Sequence, residues 1–290
     1  WLDEGFNTYS TTRTMEKAFP NPVLVRRYLE GFIPVVYSSV PVAERTVGAD
    51  LYDGFRSMFK LDRMSRPSWK YGPGAYRANS YTKPAMMLRT LENYLGWETW
   101  QRVMSTYFDR WKFRHPMPQN FFDVVNEVSG QDMSWFFDQT YYSSNVFDYA
   151  VGSVESRRVR PPKGYQETEE GLKFVKPSVP DTGEVQYQST VFVRRWGEAI
   201  FPIEVKITFD NGDEVVEKWD GRERWARFDY VKPAKVAKVE VDPNNVLVLD
   251  VNHTNNSWTA KPKAHRAAIK WASKWAIWLQ NLMEFFAFFS

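Results

Sequence analysis

A chain of 290 residues has the length of one large domain or two ordinary ones. Hydrophobic residues at 43% and charged residues at 25% read as soluble and globular and exclude a disordered chain, while 38 basic against 35 acidic residues leave no electrostatic footprint for nucleic acid. The lack of cysteine excludes a disulfide framework, a thiolate metal site and a cysteine nucleophile. Aromatics are abundant, with 13 Trp, 15 Tyr and 21 Phe, enough for a sizeable core and for sites that grip peptides or sugars.

The chain opens on Trp-Leu-Asp-Glu-Gly-Phe-Asn-Thr-Tyr-Ser, without an initiator Met, a basic leader or an apolar run. The natural start, with any targeting signal, is therefore expected upstream. A first helix is predicted from Glu4 to Phe19, ending before Pro20. Residues 31–80, rich in Gly, Pro, Ser and Tyr, are expected to form long irregular connections. Met87, Leu88, Leu91 and Leu95 stand at helical spacing in 84–95, and Gly96 follows as a stop. Another helix is predicted over 97–111, and Asn120 is expected to cap a third that ends at Gly130. A short aromatic helix is expected from Asp132 to Tyr141.

The pattern changes near 146. Residues 186–196 and 200–209 alternate, with Ile203, Val205, Ile207 and Phe209 on one face. Asp210-Asn211-Gly212-Asp213 is a signal for a two-residue hairpin. Further short strands are predicted at 214–219, 224–230, 236–241 and 246–251, which together suggest a β-sandwich. The segment 156–183 reads as a linker or exposed loop. From about 262 to 290 Trp271, Trp275, Trp278, Leu279, Leu282 and Phe286 share one helical face, and Lys270, Lys274, Asn281 and Glu284 share the other. Such a helix either docks on its own protein or a partner, or lies in a membrane surface through residues 267–290.

Glu4 on its own has a plain structural role, since a carboxylate in the first turn complements the helix dipole. Its surroundings point further. The run Trp-Leu-Asp-Glu-Gly-Phe-Asn-Thr-Tyr at 1–9 resembles the segment that bears the third zinc ligand in the gluzincin aminopeptidases, the family of membrane alanyl aminopeptidase and leukotriene hydrolase. Downstream, Tyr81-Thr82-Lys83-Pro84 opens an apolar helix where that family carries a Y-x-K-G segment, and Tyr76 lies five residues before Tyr81. The departure is Pro84 in place of Gly, which a helix tolerates in its first turn. The stretch from His115 through Gln139 resembles the helical end of the same catalytic domain, and 241–256 resembles the last strands of the sandwich that follows it.

The resemblance implies an α+β multidomain architecture. Residues 1–145 would form the helical part of a thermolysin-like catalytic domain, 146–256 a β-sandwich and 257–290 a C-terminal amphipathic helix. It implies a metallopeptidase that removes N-terminal residues from peptide substrates with zinc-activated water, Glu4 as a metal ligand and Tyr81 as donor to the oxyanion. Two imidazoles and one carboxylate would leave a position on the ion open for water. The family's H-E-x-x-H is absent, the three His being His115, His253 and His265. The chain alone is therefore expected to be inactive and to retain no zinc, its partner being the missing half of the catalytic domain. An apolar surface is expected near 1–20 and 76–95, where that half would pack. Two other readings remain: a scaffold or peptide-binding pseudoenzyme of the same fold, or a carbohydrate-binding module built on exposed Trp196, Trp219 or Trp225.

Overall fold

The computed structural model describes residues 1–18, 23–27, 37–41, 62–159, 164–169, 171–175 and 185–288. They fall into two units with separate cores. One comprises 1–146, 245–251 and 261–290, the other 147–244 and 252–260.

The first unit is helical, with α1 (Glu4–Ala18), α2 (Lys83–Leu95), α3 (Trp97–Trp111), α4 (Pro118–Ser129), α5 (Ser134–Thr140) and α6 (Ala264–Phe288). It also holds a short antiparallel pair, β1 (Val23–Arg27) and β2 (Tyr37–Pro41). Of the stretch 31–80 expected to be irregular, 62–74 consists of turns and a single 3-10 turn at Ser68–Lys70, but 37–41 is the strand β2 and 75–80 is helical. Gly96 takes φ +78 between α2 and α3, and Gly130 takes φ +68 after α4, where L side chains are disfavoured. Asn120 does not cap α4 from outside, as the sequence suggested. Pro118 occupies the first helical position, which moves the start three residues earlier. Asn120 then lies within the first turn, and its Oδ1 accepts the Met117 N–H at 2.8 Å.

The core of this unit is aromatic. Trp100, Phe121, Phe136 and Phe137 are fully buried, together with Met87, Leu88 and Leu91 of α2. Phe122 stacks on Phe137 with centroids 3.9 Å apart, and Phe121 meets Phe6 and Tyr107 edge-on at 5.2 and 5.1 Å. The apolar surface expected at 76–95 does not form. Ala85, Met86, Met87, Leu88 and Leu91 are all within the core, and Tyr76 is the large apolar residue of that stretch that stands exposed among the described residues.

The second unit is built from two antiparallel sheets. One has the order β11 (Ser257–Thr259), β10 (Val236–Val241), β7 (Ile203–Phe209), β8 (Glu214–Trp219). The other has β3 (Tyr149–Arg158), β6 (Tyr187–Arg195), β9 (Trp225–Lys232). Period-two burial sends Ile203, Val205, Ile207 and Phe209 inward, as the alternation required. The sheets share a core in which Tyr149 meets Trp219 at 5.4 Å and Phe209 meets Tyr230 at 5.5 Å, both edge-on.

Four expectations are corrected here. Residues 246–251 are irregular, with one turn and a single bridge residue at Asp250 and no strand, although Leu247, Leu249 and Val251 are buried. Alternating apolar residues there serve burial without forming a strand, and Asn245 at φ +52 breaks the extended path just before them. The last strand is instead β11. The segment 156–183 is not all linker, because β3 runs to Arg158 and β4 (Gly164–Thr168) pairs with β5 (Gly171–Val175) as a hairpin. The β7–β8 turn holds three residues, closed by the Phe209 N–H on the Asp213 carbonyl at 2.8 Å, with Gly212 at φ +93. Trp219 is buried, so it cannot join exposed Trp196 and Trp225 in a ligand-facing row.

Two polar contacts hold the loops of this unit. The buried Arg195 guanidinium donates to four carbonyls, of Gly197, Glu198, Gly221 and Arg222, at 2.6–3.1 Å. Tyr149 Oη donates to the Phe201 carbonyl and accepts the Phe201 N–H at 2.7 Å. Gly221, at φ +72, lies so close that an added Cβ would stand 2.5 Å from Tyr149 Oη. Gly212 has open space at the same position. Gly221→Ala should therefore cost about 3 kcal/mol, from strain plus overpacking, and Gly212→Ala about 1 kcal/mol from strain alone. Urea unfolding of the two variants side by side measures the difference.

Candidate active site

The N-terminus of α1 and the approach to α2 converge. Glu4 is the first residue of α1, in the turn closed by the Gly5 N–H on the Trp1 carbonyl at 2.9 Å. Gly5 faces Pro84 so closely that an added Cβ would lie 2.6 Å from the proline Cβ. A side chain at position 5 would push the two helices apart.

Pro84 also shapes the chain before it. A proline in a helix lacks the N–H that would bond the carbonyl four residues back, here Ser80, and its ring crowds that carbonyl. Residues Ala78–Thr82 accordingly widen into a π-helical turn between the helical turn Ala75–Arg77 and α2. Tyr81 lies on this turn. Its hydroxyl donates to Glu4 Oε1 at 2.5 Å across 77 residues of sequence, and its ring meets that of the exposed Tyr76 edge-on at 6.2 Å.

The carboxylate acts on the phenol. The hydrogen bond to Glu4 comes first, then burial and the Glu4 charge, and together they push Tyr81 up to about 12. The group therefore stays a neutral O–H donor throughout the neutral range. Such a phenol can donate to negative charge that develops on a bound carbonyl oxygen.

Supporting networks surround the pair. The buried carboxylate of Glu92 on α2 accepts from Tyr9 Oη at 2.6 Å, accepts from Arg89 at 3.2 Å and pairs with Arg13 of α1. Trp100 Nε1 of α3 donates to the same Tyr9 oxygen at 2.5 Å. Before the helical turn at Ala75, Asp62 accepts from Arg66 at 2.5 Å and from the Gly72 N–H at 2.6 Å. Burial opposes ionisation of Asp62, but the Gly72 N–H and Arg66 outweigh it and hold the group below the usual carboxylate range. The Asp62 carbonyl accepts from Asn79 Nδ2 at 3.1 Å, on the π-helical turn itself. None of these partners was singled out from sequence. The one available signal was Glu92, a charge one turn after Leu88 on an apolar helix face.

Lys83 is almost fully buried, with its ammonium 3.4 Å from the Ser143 carbonyl. Burial pushes it down to about 8.

Zinc was the cofactor implied by the resemblance. The fit is poor for this chain alone: among the described residues no three His, Cys, Asp or Glu side chains cluster to hold an ion, and Glu4 is a single carboxylate donor. His115 lies on an exposed loop and His265 at the exposed start of α6.

Comparison with known proteins bears on the same residues. The peptidase family M1 domain matches residues 1–140, the stretch that contains Glu4, Gly5, Tyr81 and Pro84. This stretch, rather than the whole chain, is what resembles peptidase family M1. Aminopeptidase M1-C of Oryza sativa subsp. japonica is 21% identical over 146 residues, which cover 49% of this chain and 15% of that protein. Aminopeptidase M1-A of the same plant is 25% identical over 156 residues, covering 50% of this chain and 16% of that protein. The chain thus spans about one-sixth of these M1 relatives. A crystal structure of Legionella pneumophila aminopeptidase A in complex with aspartic acid aligns with a TM-score of 0.45 at 15% identity, over 86% of this chain and 23% of that one.

Two titrations follow for this segment. In Glu4→Gln the Tyr81 phenol should ionise at lower pH than the wild-type midpoint near 12, because the acceptor charge that disfavours phenolate is gone. NMR of labelled tyrosine, with Tyr81→Phe for assignment, reads the shift. Lys83 has a folded value near 8 against an ordinary 10.5, so the unfolded chain binds more protons between these limits. Unfolding free energy should rise with pH across that window relative to Lys83→Met, in which this contribution is lost.

Proposed function

We propose that residues 1–140 supply the glutamate and tyrosine side of an aminopeptidase active site. Glu4 acts as a metal-ligating carboxylate and Tyr81 as the donor that stabilises the tetrahedral intermediate of peptide hydrolysis. The observation that carries this reading is the 2.5 Å contact between Tyr81 Oη and Glu4 Oε1, two residues 77 apart in sequence. The match of residues 1–140 to the peptidase family M1 domain supports it.

In the proposed reaction Tyr81 exchanges Glu4 for the substrate. Its proton is held on oxygen by the neighbouring carboxylate, so it remains available when the carbonyl oxygen of the scissile bond gains charge. Pro84 and the turn before it set where that hydroxyl points. Zinc, when bound in the complete centre, would polarise the carbonyl and activate water. The other metal ligands and the general base must come from residues outside this sequence, which contains no H-E-x-x-H. The 290-residue chain by itself is accordingly inactive.

The test uses the protein extended by its upstream coding sequence. If that extension carries H-E-x-x-H, the protein should release N-terminal residues from peptide anilides. Tyr81→Phe should then lower kcat by about 10²–10³ with little change in KM, and Glu4→Gln should abolish turnover together with bound zinc. An extension without the motif would overturn the catalytic reading and leave a peptide-binding scaffold of M1 ancestry. Full activity of Tyr81→Phe would overturn the role of the phenol alone.

A further inference from the structure

The helix α6 presents a stripe of large apolar side chains to solvent. Trp275, Leu279, Met283 and Phe286 are 52–64% exposed, and Ile269 is 55% exposed. Their spacing of four, four and three residues keeps the last four within one stripe of the helix surface. Exposure of this kind along a 25-residue helix, with two aromatic residues in the stripe, is unlike the scattered apolar residues of an ordinary surface.

Charge separates this segment from the rest of the chain. From 261 to 290 there are five basic residues, Lys261, Lys263, Arg266, Lys270 and Lys274, and a single acid, Glu284. The chain as a whole is nearly balanced at +3. Basic residues occupy the N-terminal half and its approach, while the C-terminal half supplies Leu279, Leu282, Met283, Phe285 and Phe286. No helix among the described residues is long and apolar enough to cross a membrane. An apolar stripe beside concentrated positive charge matches a surface that is apolar below and negative above.

We propose that α6 docks lengthwise on an anionic lipid bilayer. Trp275, Leu279, Met283 and Phe286 enter the boundary between headgroups and acyl chains, and the exposed Lys261 and Lys263 pair with lipid phosphates. The inference is independent of the peptidase reading, since it uses neither Glu4 nor Tyr81.

The experiment is co-sedimentation of the 290-residue chain with vesicles of equimolar phosphatidylcholine and phosphatidylglycerol, and with vesicles of phosphatidylcholine alone. The chain should pellet with the anionic vesicles and stay in solution with the neutral ones, and raising salt should weaken its binding. Leu279→Glu and Met283→Glu, at exposed positions that leave the fold intact by circular dichroism, should each weaken binding at least tenfold. Lys261→Glu with Lys263→Glu should also weaken it at least tenfold, since each lysine near an anionic surface contributes about fivefold. Failure to pellet with anionic vesicles overturns the proposal. So does binding that survives Leu279→Glu. If sedimentation velocity shows a dimer that Leu279→Glu dissociates, and no vesicle binding, the stripe joins two copies of the chain and the lipid proposal fails.

Discussion

Gly5 has no side chain, and the Pro84 ring fills the space that one would occupy. That close approach brings the start of α1 against the start of α2. It acts at one point, yet two consequences depend on it. The carboxylate next to Gly5 is carried within reach of the helix that Pro84 opens. The same proline, unable to accommodate the carbonyl four residues back, opens the π-helical turn on which Tyr81 stands. The 2.5 Å contact of Glu4 with Tyr81 is the joint outcome. A small residue and a rigid one thus set the geometry, and the polar pair reports it.

That approach would not hold without support further along both helices. Glu92 is buried and charged, a costly combination unless every lone pair finds a donor. Tyr9, Arg13 and Arg89 supply those donors, and Trp100 completes the set through Tyr9. Because Tyr9 and Arg13 lie on α1, Glu92 on α2 and Trp100 on α3, satisfying one carboxylate ties three helices together. The aromatic core around Phe121 supplies the non-directional part of the stabilisation, and the network selects among its packings. The second unit uses a similar device with opposite charge: the buried Arg195 cation gathers four carbonyls from two loops.

The surfaces divide by purpose. The face expected to be apolar, on α2, is covered by the protein's own core, and the apolar stripe that remains lies on α6. The cost of exposing Trp275, Leu279, Met283 and Phe286 to water is a sustained one, and the basic run beside it gives that exposure a chemical direction.

The sequence by itself determined the elements whose signals are local. Period-two alternation placed β7, helical spacing placed α2 and α3, and Gly130 placed the end of α4. The resemblance carried by residues 1–140 was legible too, because Glu4-Gly5 and Tyr81 stand in recognisable surroundings. What depends on partners distant in the chain was not legible. Leu247, Leu249 and Val251 are buried without being a strand, since alternation records burial and says nothing about hydrogen-bond pairing. Asn120 lost the capping position because Pro118 starts the helix earlier, one local preference prevailing over another. The burial of α2, the networks on Glu92 and Asp62, and the meeting of Glu4 with Tyr81 were decided by tertiary structure alone. Each is a contact between residues that share no local pattern, and only packing brings such residues to one place.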